Sequence, residues 1–166
     1  MSRIRRLTYS ALLIALSVVA TRLLSIQTPF VRIGFGGIPI LLAGLAFGPI
    51  WGFAAGALAD LVGFFLHPVG TYFPGFTLTA GLVGAIVPLI LGRQRITSSF
   101  GRLLSAIAFS QLVTSLVLDT YWLTIILGKT AAALLPLRVL NQAIYIPVAA
   151  SLVFVLRRVM GRFLPE

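Results

Sequence analysis

The chain has no cysteine, one histidine and three acidic residues in 166 positions. Without cysteine there is no disulfide framework, no thiolate metal site and no cysteine nucleophile. The lone histidine, His67, stands beside a proline with no further ligands near it in sequence, so no metal site is expected. The three acids are scattered, which leaves no paired carboxylates for acid–base chemistry, and no Ser-His-Asp group is evident. Charge of either sign is scarce, at 10% of residues, while hydrophobic residues make up 59%. Mean hydropathy is +1.08. This composition specifies one helical membrane domain over residues 1–166 and leaves no room for two soluble ones.

The charge that is present is one-sided. Thirteen Lys and Arg against three acids give a net charge of +10. In a soluble chain that balance points to nucleic acid. Here the arginines stand at the ends of apolar runs, where they orient a chain in the lipid bilayer, so no nucleic-acid partner is expected. Arg3, Arg5 and Arg6 ahead of an apolar run resemble a signal peptide. The run continues through Leu24, however, and Ser25–Pro29 is a poor cleavage site, so the segment is read as a retained first helix.

Hydropathy predicts helix 1 over about Leu7–Leu24, helix 4 over about Gly75–Leu91, helix 5 over about Leu103–Leu127 and helix 6 over about Arg138–Leu156, kinked at Pro147. Ser25–Gly37 is read as a loop, and Gly128–Leu137 as a loop or partial helix. Residues 34–66 are the ambiguous stretch. One span takes about 20 apolar residues, so this run is too long for one and short for two. Cutting it at Gly48-Pro49 gives six spans. The N-terminus, the 92–102 loop and the C-terminus then share one side, which collects Arg3, Arg5, Arg6, Arg93, Arg95, Arg102, Arg157, Arg158 and Arg162. The positive-inside rule selects that cut. The expected architecture is all-α, an integral bundle of six transmembrane helices with both termini cytoplasmic. Gly44, Gly48, Gly52 and Gly56 fall at four-residue steps and predict close packing of helices 2 and 3.

This topology sends the remaining bases, Arg22, Arg32, Lys129 and Arg138, to the outer side. Asn141, Gln142 and Tyr145 begin helix 6, Tyr121 and Trp122 end helix 5, and Tyr72 and Phe73 precede helix 4. The inner half is nearly pure Leu, Ile, Val, Ala and Gly, which excludes a continuous polar pathway. The pattern predicts an outward pocket closed below. Its cations suit carboxylates, its aromatic faces suit a planar ring, and its amides suit paired donor and acceptor edges. Each residue also has a plainer reading. Arg22 either snorkels or meets ligand, Asn141 and Gln142 either link helices or meet ligand, and the four aromatics belong to the pocket or to an interfacial belt. Asp60 and Asp119 are read as internal partners of arginine, since a carboxylate repels an anion.

Two patterns mislead. Gly128-Lys129-Thr130 ends like a phosphate-binding loop, but Leu123 stands where that motif needs glycine. Gly34-Phe35-Gly36-Gly37 lacks the third spaced glycine of a dinucleotide loop. The chain is therefore not expected to be an enzyme or to carry a cofactor, and any energy it uses must come from a partner.

Several segments together are similar to a known family: Ala11-x-x-x-Ala15, Ser25-Ile26, Val31-Arg32-Ile33-Gly34-Phe35-Gly36, Ile38-Pro39, Phe47-Gly48-Pro49, Asp60-Leu61-Val62-Gly63 and Gly70-Thr71-Tyr72-Phe73-Pro74-Gly75-Phe76-Thr77. The chain resembles the substrate-binding (S) components of energy-coupling factor (ECF) vitamin transporters, in particular the folate-specific group. The resemblance covers essentially the whole chain. It implies a multi-pass protein of a prokaryotic cell membrane that captures folate, or a close pterin-glutamate relative, from outside. It implies docking on a transmembrane coupling protein with two cytoplasmic ATPases, through the small-residue face at Ala11 and Ala15. It also implies that Arg22 and Asn141 stand against the pterin. The alternatives are an S component for another vitamin, or a non-transport membrane assembly factor.

Overall fold

The computed structural model describes residues 3–22, 25–27, 32–68, 72–94, 97–128 and 131–163. Among the described residues the chain forms six helical rods. α1 is Arg3–Arg22, α2 Gly37–Phe47, α3 Pro49–Leu66 and α4 Pro74–Leu91. α5 comprises Phe100–Gln111, a π-helical stretch Leu112–Leu118 and Asp119–Leu127. α6 is Ala131–Phe163. Between α1 and α2 lies a minimal antiparallel ribbon, with Ile26 opposite Ile33 and Gln27 opposite Arg32.

The cut at Gly48-Pro49 is where the sequence places it. Gly48 adopts φ 105°, a left-handed value that favours glycine, and Pro49 opens α3 where its missing N–H costs nothing. α6 departs from expectation at both ends. It begins at Ala131, before Arg138, and continues beyond Leu156 into the basic tail. Pro136 and Pro147 lie inside it. α5 carries a π stretch that hydropathy does not register, since the inserted residue changes facing and not polarity.

α2 is the axle of the core. Ile38 through Leu45 are all buried, as an apolar-all-round helix should be. Ile38, Leu41, Leu42 and Leu45 pack with Val87 of α4, Leu103, Ala106 and Ile107 of α5, and Ala149, Ala150 and Val153 of α6. At 11 residues α2 is about 16 Å long, too short to cross a bilayer by itself. Among the described residues four longer stretches are apolar and long enough to cross: Pro49–Leu66, Pro74–Gln94, Phe100–Ile126 and Leu135–Val159. They expose Leu, Ile, Val and Phe over much of their surface, which suits lipid contact.

The glycine series makes a broader contact than helices 2 and 3 alone. A Cβ on Gly52 would stand 2.1 Å from the Gly84 carbonyl oxygen and 2.7 Å from Gly44 Cα. A Cβ on Gly56 would stand 2.1 Å from the Ala80 oxygen. α2, α3 and α4 therefore meet backbone to backbone. Lipid tails are as apolar as leucine, so such close approach supplies the packing that burial alone does not.

Candidate functional site

A cavity of about 200 Å³ opens between α1, α4, α5, α6 and the start of α2. α1 and the residues after it contribute Thr21 and Ser25. The turn into α2 contributes Gly34, Gly36 and Gly37, and α2 itself Ile40. α4 supplies Ala80 and Val83 as an apolar wall. α5 supplies Gln111, Thr114, Ser115 and Asp119. α6 supplies Arg138, Asn141, Gln142 and Tyr145.

The glycines explain how the turn fits. A Cβ on Gly36 would overlap Thr21 Oγ1, and one on Gly37 would come within 2.5 Å of the Tyr145 hydroxyl. Ser17, buried one turn below Thr21, donates its hydroxyl to the Gly36 carbonyl at 2.7 Å and holds the turn down. Gly34-Phe35-Gly36-Gly37 has no part in a nucleotide loop; its glycines form one wall of the cavity.

Polar side chains converge here. Residues 138, 141, 142 and 145 step by three and four along α6, so they share one face. Arg138 is buried, and its Nη1 donates to the Ser115 carbonyl at 2.5 Å. A backbone oxygen inside a helix is open to such a donor where the π-helical stretch disturbs the regular ladder. Gln142 is buried too, and its Oε1 has no hydrogen-bond partner among the described residues. Nor does Arg138 Nε. A buried polar atom left unmet costs about 1–3 kcal/mol, and these two belong to residues on the cavity wall.

The sequence-predicted residues divide into two groups. Arg138, Asn141, Gln142 and Tyr145 line the cavity together. Arg22, Tyr72, Phe73, Tyr121 and Trp122 lie toward the same end but not on its wall. Arg22 faces α3: its Nη2 is 4.0 Å from Asp60 Oδ1, and its Nη1 donates to the His67 carbonyl at 3.2 Å. Asp60 also accepts from Thr77 Oγ1 at 2.8 Å, and Thr77 bonds the Tyr72 hydroxyl at 3.1 Å. Phe73 and Trp122 stack at 5.4 Å, Tyr121 and Trp122 at 5.1 Å, and Trp122 Nε1 donates to Thr79 at 3.2 Å. The Arg32 backbone pairs with Gln27 in the ribbon, and its side chain lies outside the described residues, as does all of Lys129.

Asp60 is the arginine partner expected of it. Asp119, expected in the same role, stands on the cavity wall, where its charge acts on Arg138. Sequence reasoning misses Thr21, Ser25, Gln111, Thr114 and Ser115. Part of the signal is in the sequence: Gln111, Ser115 and Asp119 fall at four-residue steps, a polar stripe down an otherwise apolar helix. Ala11 and Ala15 are exposed on α1, beside the exposed Leu12 and Leu16, so they do not serve internal packing.

Three comparisons bear on this arrangement. The family described as "ECF transporter, substrate-specific component" matches residues 5–157. The chain is 37% identical over 154 residues to "Folate transporter FolT" of Clostridium novyi (strain NT), covering 93% of this chain and 88% of that protein. It is 25% identical over 158 residues to "Folate transporter FolT" of Leuconostoc mesenteroides subsp. mesenteroides, covering 92% and 84%. Among solved structures it superposes on "Crystal structure of FolT bound with folic acid" with a TM-score of 0.84 and 31% identity, over 93% of this chain and 94% of that one.

Proposed function

The chain belongs to the substrate-specific component family of ECF transporters, and from that premise we propose that it takes up folate from outside the cell and delivers it inward once docked on an ATP-driven ECF module. The observation that carries this is the convergence of one arginine, three amides and a carboxylate on a cavity with an apolar wall. Its relatives are folate transporters, and the structure it superposes on holds folic acid. A pterin ring matches such a site, being flat and edged with donors and acceptors.

At about 200 Å³ the cavity is smaller than the ~300–1,000 Å³ of sites that enclose whole drug-sized ligands. It takes the ring, with Arg138, Asn141, Gln142 and Tyr145 against it. Ala11 and Ala15 form the contact with the coupling protein, because small side chains let a partner helix approach α1 closely. ATP hydrolysis belongs to the two ATPase subunits. The arginine count supports both termini lying in the cytoplasm of a prokaryotic cell, with the cavity on the outer side of its plasma membrane.

Equilibrium binding of folic acid to the detergent-purified protein tests the reading. Saturation below micromolar ligand is expected, and no saturable binding at micromolar folic acid overturns it.

A further inference from the structure

We propose that Arg138 is the positioning residue that fixes the register of α5, and with it the direction in which Asp119 faces. The hydrogen bonds of the π stretch carry this inference. In a regular α-helix the Asp119 N–H bonds the Ser115 carbonyl, four residues back. Here it bonds the Thr114 carbonyl, five residues back. Asp119 thereby leaves the Ser115 carbonyl to another donor, and Arg138 Nη1, reaching across from α6, bonds it at 2.5 Å. Thr120 Oγ1 approaches the same oxygen only at 3.5 Å. Arg138 is buried, and a charged donor makes a stronger hydrogen bond than a neutral one. The charge of Asp119 acts on the same guanidinium. One side chain of α6 therefore meets α5 at the oxygen that the π register frees, beside the carboxylate that follows it.

The register decides what the wall is made of. The first part of α5 is locked in the core through Leu103, Ala106 and Ile107. An α-helix turns about 100° per residue, which sets residue 119 roughly 80° away from the direction of Gln111. A π turn absorbs one extra residue and brings it back to within roughly 20°. Gln111, Ser115 and Asp119 then form one stripe, and all three stand on the cavity wall. An extra residue of this kind can shift along a helix, and each shift turns the residues it passes by about 100°. The bond from Arg138 opposes such a shift, because moving the π turn returns the Ser115 oxygen to the backbone ladder and strips a buried arginine of its acceptor. The inference concerns the protein's own helix and holds for whatever ligand the cavity takes.

Hydrogen–deuterium exchange of the detergent-purified full chain, without ligand, tests the inference. Arg138→Met should speed exchange over residues 112–120 by about tenfold or more and leave α2 and Phe100–Gln111 as in the wild type. Arg138→Lys keeps a charged donor and should show a smaller rise, about threefold, over the same residues. No local rise in either variant overturns the inference, as does a rise spread evenly over the bundle. If Arg138→Met does not fold by size exclusion, the local rise in Arg138→Lys decides. Titration with folic acid supplies a second readout, in which affinity should fall in the order wild type, Arg138→Lys, Arg138→Met. Affinity lost while exchange stays at the wild-type rate makes Arg138 a ligand contact alone and overturns its positioning role. No folic acid binding by the wild type overturns the folate reading and leaves the exchange result standing.

Discussion

Arg22 of α1 is turned onto Asp60 of α3, with Nη2 4.0 Å from Oδ1 and both side chains almost fully buried, at 5% and 12% exposure. The pair joins two helices through Thr77 to a third, and it stands outside the cavity wall. Removing one member of such a pair leaves a buried charge uncompensated, at a cost of about 3–5 kcal/mol. Arg22→Ala and Asp60→Asn should each lower the melting temperature markedly. The double variant should be more stable than the sum of the two losses implies. Additive losses in the thermal-denaturation cycle would show that the two side chains act independently.

The same pair shows what a sequence tells and what it withholds. Helix number, the turn at Gly48-Pro49 and the grouping of Arg138, Asn141, Gln142 and Tyr145 follow from hydropathy, from turn chemistry and from spacing on one helix. Which helix Arg22 faces does not follow, because rotation of α1 is set by its neighbours and not by its own pattern. Asp119 is legible as an arginine's partner, and its charge does act on Arg138, but that the two stand together on the cavity wall is not legible. The π stretch at Leu112–Leu118 sets the facing of α5 residues around it, and nothing in hydropathy registers it.

Glycine contacts give a sharp contrast between two positions. A Cβ on Gly84 would stand 2.1 Å from the Gly52 carbonyl oxygen, and helix backbone cannot yield as a flexible side chain does. Gly84→Ala should therefore separate α3 from α4 and strongly reduce the yield of folded protein. Gly101, in the first turn of α5, has nothing within 4 Å of the place a methyl group would take. Gly101→Ala should be neutral or stabilise by up to about 1 kcal/mol. Melting temperatures in detergent compare the two. Equal behaviour would refute the close-packing account.

Trp122 separates packing from ligand contact. Its indole donates to Thr79, and its ring packs on Phe73 and Tyr121, away from the cavity wall. Trp122→Phe loses one hydrogen bond, worth about 0.5–1.5 kcal/mol. Melting temperature should fall modestly while folic acid affinity stays within about twofold of wild type. A tenfold loss of affinity in titration would instead make Trp122 a ligand contact in the bound form.

Ala11 and Ala15 lie on the exposed side of α1, one helical turn apart, between exposed leucines. That face buries nothing within the chain, so a bulky side chain there strains no internal contact. A partner helix seated on it is another matter, since small residues set how near two backbones come. Ala15→Trp should leave folic acid binding by the isolated protein unchanged. It should also abolish co-purification with the coupling protein and ATPases, and with it folate uptake by cells. Retained co-purification with normal uptake would remove this face from the docking surface, and lost binding in the isolated variant would tie α1 to the cavity instead.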